Sequence, residues 1–395
     1  MIPVRVVAPV MLAALVACAP AKSPSPEGTG IAALEASGRA PAVPTPAAAL
    51  LILAKRDHTL AIVDPTTLHV IAKVPVGDDP HEVVASPDGK TAYVSNYGHG
   101  AFHTLAVVDL VHQKALPAID LGALLGPHGL TFAGGKLWFT AEAAKAIGRF
   151  DPASAKIDWI LGTGQDRTHM IYVAKDLKWI ATSNVDSGTV SLIEPRTPAP
   201  PQSSAPPQSS APLPPPAPSP SSTPPPPGSG PPPSPGAPGP QGPPVPQWGE
   251  TVIPVGVGSE GFDVSPDGSE LWVASAREGT VSIIDVGAEK VVQTLAANVA
   301  GANRLKFSPN GHYVLITSLR SPDLVVFDTT TRKEVKRVKV GRAAAGIQMQ
   351  PNGERAFVAC SPDDYVAVID LKSLEVAGHI DVGHAPDGMA WVTRP

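Results

Sequence analysis

Three things are scarce in this sequence, and each scarcity excludes something. Two cysteines, Cys18 and Cys360, in 395 residues cannot build a disulfide framework or a multi-cysteine metal site. There is no basic excess: a net charge of −5 argues against a nucleic-acid partner, which requires a positive footprint. The N-terminal apolar run, Val6–Val16, is too short to span a bilayer as a permanent helix. Two catalytic signatures are missing as well. No glycine-rich loop follows a strand and opens a helix, and no serine stands at a nucleophile elbow.

What is present begins with a leader. Arg5 supplies its positive charge, Val6–Val16 its apolar core, and Leu15-Val16-Ala17-Cys18 closes it. These last four residues resemble a bacterial lipobox. The resemblance implies a signal peptide over 1–18 with lipidation at Cys18. It further implies a lipid anchor in the cell envelope, and, because Ala19 rather than Asp follows, the periplasmic face of the outer membrane. Residues 19–48 are rich in Ala, Pro, Gly and Ser and read as a flexible tether.

Proline is abundant but confined: 25 of the 48 prolines fall between Pro195 and Pro246. Residues 197–246 read as a low-complexity loop in polyproline II or coil. It is a tolerated insertion at a surface turn, with a partner-binding arm as the alternative.

The rest of the chain is periodic. An apolar alternation ending in an acidic residue recurs at Asp64, Asp109, Asp151, Glu194, Asp285, Asp328 and Asp370. The spacings are 45, 42, 43, 91, 43 and 42 residues, the long one being a repeat plus the proline-rich insert. Each unit offers four strand-length β-branched runs bounded by Gly, Pro, Asp and Ser, the pattern of a β-propeller. The C-terminal Gly388–Val392 matches a first strand with nothing after it. Leu51–Ala54 and Leu60–Val63 match a second and third strand with nothing before them. The expectation is an all-β, seven-bladed propeller over 49–196 and 247–395, its first blade closed by strands from both termini. The acidic residues are expected to cap the turn after the third strand through their side chains. Tyr93, Trp138, Trp179, Trp272 and Phe357 fall at similar places in the second strand and should pack between blades.

Tyr93-Val94-Ser95-Asn96, preceded by Ser86-Pro87-Asp88-Gly89 and followed by AVVDL, resembles the YVTN-repeat family of bacterial propellers. SPDGSELWVAS, SPNGHYVLITS and QPNGERAFVAC fit the same frame. The resemblance covers nearly all of the folded part and implies the fold. For function it implies only a range, since that family sits beside amine dehydrogenase subunits, haem d1 proteins and lactonases.

Ligands of propellers usually enter where the loops open at one end of the central channel. The residue five positions before the SPDG serine, or its equivalent, reads His81, His128, His169, Glu260, Asn303, Ala345 and Asp387 around the ring. Neighbours on such a ring stand about 6 Å apart for seven blades. His81, His128 and His169 could therefore share a transition metal, or one could be the axial ligand of a haem. A histidine there can equally hydrogen-bond loop backbone. His58, His99, His103 and His384 fall on the same face. So do Arg56, Arg167, Arg277, Arg304, Arg320 and Arg342, a collar able to hold an anion through bidentate hydrogen bonds.

Three functions follow. The first is a non-enzymatic envelope module binding a ligand or protein partner at the mouth through the ring residues and Arg277, Arg304, Arg320 and Arg342. The second is a metal- or haem-associated, redox-linked periplasmic protein using His81, His128 and His169. The third is a lactonase-like hydrolase with Glu260 or Asp387 beside a histidine. Cys360 reads as a small buried hydrophobe.

Overall fold

The computed structural model describes residues 43–196 and 247–394. The leader with Cys18, most of the tether and the 197–246 segment lie outside the described residues. Seven four-stranded antiparallel sheets make up the fold, and the innermost strands of successive sheets touch around a closed ring. The innermost strands of blades two to seven are Pro80–Ala85, Pro127–Ala133, Thr168–Val173, Ser259–Val264, Ala302–Phe307 and Ala344–Met349. Blade one takes its innermost strand from the C-terminus: Pro386–Thr393 pairs with Ala48–Ala54, which leads into Thr59–Val63 and Val70–Pro75. Both ends of the described chain are thus knitted into one sheet, leaving no open sheet edge at the ring's seam.

The apolar runs have a simple cause. The middle strands of each blade are covered on both faces, so their residues need not alternate with polar ones. In Ala48–Ala54, Leu51 and Leu53 pack towards blade two, whereas Leu50 and Ile52 pack towards blade seven; all four are fully buried. The outermost strand has one free face and returns to alternation, as the exposure pattern along Lys156–Gly162 shows. The second-strand aromatics fill these seams. Trp272 packs edge-on to Phe307 of the next blade, and Tyr93 lies against Phe132. Trp179 is an exception in position, since it precedes its strand, Ile180–Asn184, and packs on Tyr172 of its own blade.

Turn chemistry sets the register. Asp64, Asp109, Asp151, Asp285, Asp328 and Asp370 each accept a backbone N–H two or three residues on. The seventh position, Glu194, differs because the strand runs on past it: Thr189–Arg196 pairs with Gln247–Pro254, with Arg196 opposite Gln247. Arg196 and Gln247, which flank the 197–246 segment, are therefore paired neighbours in the sheet of blade four. At the start, Thr45 is buried and donates to the Leu110 carbonyl, and Gln113 donates to the Val43 carbonyl. Residues 43–48 therefore belong to the propeller and not to the tether. Among the described residues no helix is long and apolar enough to cross a membrane.

Candidate functional site

Every innermost strand carries the same distortion at the same place. Two residues stand opposite one on the second strand, a β-bulge, in all seven blades. The first residue of each bulge is the ring position: His81, His128, His169, Glu260, Asn303, Ala345 and Asp387. Two residues before it the backbone is left-handed in every copy, at Asp79, Gly126, Arg167, Gly258, Gly301, Ala343 and Ala385. A left-handed residue turns the chain inward, and the bulge re-aims the next side chain into the channel. All seven ring residues line one cavity of about 360 Å³ at the mouth.

The second bulge residue points its N–H away from the ladder, and four blades satisfy it with a hydroxyl from the second strand. Glu82, Gly129, Met170 and Arg304 donate to Ser95, Thr140, Ser183 and Thr317. Thr140 and Ser183 then donate to the carbonyls of His169 and Glu260 in the next blade. Ser95 is the third residue of the YVSN motif, so this hydroxyl gives that motif position a structural task.

A second ring sits beside the first. The residue directly after each second strand is Lys55, Tyr97, Glu142, Val185, Ala276, Leu319 or Ser361, and four of these line the same cavity. Glu142, missing from the sequence-based set, is only 4% exposed. It receives hydrogen bonds from the Tyr97 hydroxyl at 2.5 Å and from His169 Nδ1, and Arg167 Nε stands 3.5 Å away. His169 Nε2 faces Glu260 at 3.1 Å. Both nitrogens of this buried ring thus meet carboxylate oxygens, the arrangement of an imidazolium. Burial alone would lower its pKa, but Glu260 and Glu142 outweigh it and raise it. Glu260, which burial would raise, is brought down to about 2 by His169 and the nearby arginines. Tyr97 is pushed up by burial and by Glu142.

His128 is the opposite case. Its ring lies 3.8 Å from that of His169 between centroids and 5.0 Å from that of His81. It is 2% exposed, and its Nδ1 is buried without a hydrogen-bond partner. Burial, then the charges of His169 and its neighbours, hold it well below the usual histidine pKa. His128 Nδ1 or Nε2, His169 and Glu142 can present ligand atoms all within 4.8 Å of one another.

His81 departs from the expected His81–His128–His169 trio. Lys55 Nζ lies 2.7 Å from its Nε2, and Asp79 and Asp387 flank it. The donor completing the group is Glu142. Asn303 also lines the cavity but commits its amide N–H to the Ala345 carbonyl. The arginine collar does not form. Arg277 and Arg342 are exposed and pair with Asp186 and Asp363, while Arg56 and Arg320 are exposed. Loop position fixed the face of the propeller on which these residues lie, but not their distance from the axis. Only Arg167 and Arg304 reach the cavity. Arg304 is buried and bridges to Glu82, three blades away across the channel. Arg304 also lines a second chamber of about 310 Å³, where Glu82 joins it. His58, His103 and His384 are solvent-exposed and pair with Asp78, Asp120 and Asp57.

No family model and no curated protein sequence matches the chain. Solved structures do resemble it. A protein of unknown function from Desulfotomaculum acetoxidans DSM 771 superposes with a TM-score of 0.64 at 11% identity, covering 88% of this chain and 99% of its own. A Bacteroides uniformis ATCC 8492 protein assigned provisionally as a 6-phosphogluconolactonase gives 0.61 at 14%, over 87% and 99%. The dihydro-haem d1 dehydrogenase NirN, in complex with DHE, gives 0.55 at 14%, over 87% and 66%. At these identities the likeness establishes the class of protein, a seven-bladed β-propeller, and nothing finer.

Proposed function

We propose that this chain is a cell-envelope lipoprotein of the YVTN-repeat kind, anchored through Cys18, whose propeller mouth binds one divalent transition-metal ion. The ligands are His128, His169 and Glu142. The observation that carries this reading is the buried, unpartnered Nδ1 of His128 beside a carboxylate and a second imidazole in ligand range. An orphaned buried acceptor costs about 1–3 kcal/mol, and coordination to either ring nitrogen lets the other donate or rotate to a partner. Two imidazoles and a carboxylate suit Zn, Ni, Cu or Fe.

Charge supports a cation over an anion. Around the mouth stand three permanent cations, Lys55, Arg167 and Arg304, and five carboxylates, Asp79, Glu82, Glu142, Glu260 and Asp387. With His169 neutral, two negative charges remain, which a divalent ion balances. Binding would release the second proton of His169. A haem is less well matched, because it calls for a single axial ligand, whereas here two imidazoles and a carboxylate can present ligand atoms within 4.8 Å of one another.

The hydrolase reading is weaker on the same geometry. General-base catalysis works best with a pKa near the working pH, and Glu260 at about 2 is a poor proton acceptor, while Asp387, the other candidate, is paired with the Lys55 ammonium at 3.3 Å. We therefore favour a binding role without turnover.

The test is metal analysis of natively purified protein, followed by calorimetric titration of the stripped protein with Zn²⁺ and the absorption spectrum of its Co²⁺ form. One ion per chain is expected, lost in Glu142→Gln and His128→Ala. Absence of stoichiometric metal, with no change in melting on adding Zn²⁺, Co²⁺, Ni²⁺ or Cu²⁺, would sink the reading.

A further inference from the structure

Beside the His128 group lies a second set of donors, already filled by part of the chain. His81 Nε2, Asp387 Oδ2 and Asp79 Oδ1 surround the Lys55 ammonium at 2.7, 3.3 and 3.5 Å. They come from two blades. Asp387 is the ring residue of blade one, His81 that of blade two, and Asp79 is the left-handed residue leading into His81. Lys55 follows the second strand of blade one, and it is the only cation among the seven residues at that position. Asp387 is buried, and the second oxygen of Asp79 is buried without a hydrogen-bond partner. One imidazole and two carboxylates converging from three sides form a donor set that divalent transition ions accept.

We infer that Lys55 is a tethered cation: its ammonium occupies a second divalent-metal site, made by His81, Asp79 and Asp387. The geometry explains why His81 leaves the histidine trio although its ring lies 5.0 Å from that of His128. It also explains why two carboxylates gather around one ammonium. An ammonium sits at hydrogen-bond distance. A metal would draw the same side chains inward by about 1 Å, to bonds of about 2.0–2.2 Å, and a lysine removed from the turn would leave room for that. Four residues, Lys55–His58, join the strands there and lie outside the hydrophobic clusters. The inference extends the reading of the mouth as a cation site, but it does not depend on the His128 group being occupied.

The experiment counts ions. Stripped wild-type protein, Lys55→Ala, Lys55→Gln and Lys55→Arg are each titrated with Zn²⁺, and bound metal is measured after desalting. The Ala or Gln variant should bind one ion more per chain than the wild type, the Arg variant none more, and His81→Ala added to the Lys55→Ala background should remove the increment. The wild-type count reports on the His128 group and the increment reports on Lys55, so a rise from none to one supports this inference even where the first reading fails. Equal stoichiometry in wild type, Ala and Gln overturns it, as does an increment that survives His81→Ala. Failure of both variants to fold with Zn²⁺ present would also overturn it, because an ammonium that only fills an ion site can be replaced by an ion.

Discussion

His128 and His169 lie ring against ring, 3.8 Å between centroids, and prefer opposite protonation states. His169 stands between Glu142 and Glu260 and keeps its proton, although Arg304 Nη1 lies 3.5 Å from the same Nε2 that faces Glu260. Among the described residues His128 pairs with no carboxylate, and it is buried beside the charges of His169, Arg304 and Lys55.

This pairing predicts a stability maximum in the metal-free protein. Below the ordinary histidine value of 6.5, the unfolded chain takes up a proton at position 128 that the folded protein refuses, so stability rises with pH. Above 6.5, the unfolded chain has released the proton of His169 that the folded protein retains, so stability falls as pH climbs through the raised pKa. Each limb should approach a slope of about 1.4 kcal/mol per pH unit. Glu142 and Glu260, both lowered, add acid sensitivity only below their unfolded value of 4.5. Urea unfolding from pH 5 upward should therefore peak near 6.5. His128→Asn should flatten the acid limb and His169→Asn the alkaline one; a monotonic profile in the wild type would contradict the assignment.

Thr140→Val should cost about 1–3 kcal/mol, because it strands the buried Gly129 N–H and the His169 carbonyl together. Thr140→Ser keeps both bonds and should stay within about 1 kcal/mol of wild type, since it loses only a methyl group. Chemical denaturation of the two variants decides this, and equal losses would remove the hydroxyl from the account.

Gly346 and Gly388 are second bulge residues, and a Cβ on either would overlap the carbonyl of the next ring residue, Asp387 or His81. Gly346→Ala and Gly388→Ala should each cost about 1–3 kcal/mol through forced movement of the neighbouring strand. Gly378, on an outer strand with nothing near its missing Cβ, is the control: Gly378→Ala should be neutral or stabilising by up to about 1 kcal/mol. Melting curves that rank the three alike would contradict the close approach of blades.

Ala343 holds the left-handed conformation that glycine supplies at Gly301 in the neighbouring blade. The strain of an L-residue there is about 1–2 kcal/mol, partly offset by the greater freedom glycine gains on unfolding. Ala343→Gly should therefore stabilise by about 0.5–1 kcal/mol and Gly301→Ala should destabilise, an opposition of sign readable from urea midpoints.

How much of this could be read from the sequence divides by distance along the chain. The blades were legible because their signals are local: a forty-odd-residue period, Asp-capped turns and apolar runs covered on both sides. The ring of His81, His128, His169, Glu260, Asn303, Ala345 and Asp387 was legible as an alignment column. The bulge beneath it was not, since a bulge changes pairing without changing the count of residues between turns. Glu142, Tyr97 and Lys55 escaped because their shared column holds seven different residue types, so only its place, directly after the second strand, could have revealed it. Arg277, Arg320 and Arg342 misled because a loop residue's face can be inferred from order along the chain, whereas its radius depends on packing.

The seven bulges carry one more consequence. Each presents its first side chain from backbone geometry alone, whether that side chain is an imidazole, a carboxylate, an amide or the methyl of Ala345. Recognition and folding are therefore uncoupled at these positions. A lineage can rewrite the mouth one blade at a time, while the hydroxyls and glycines behind it keep the ring closed.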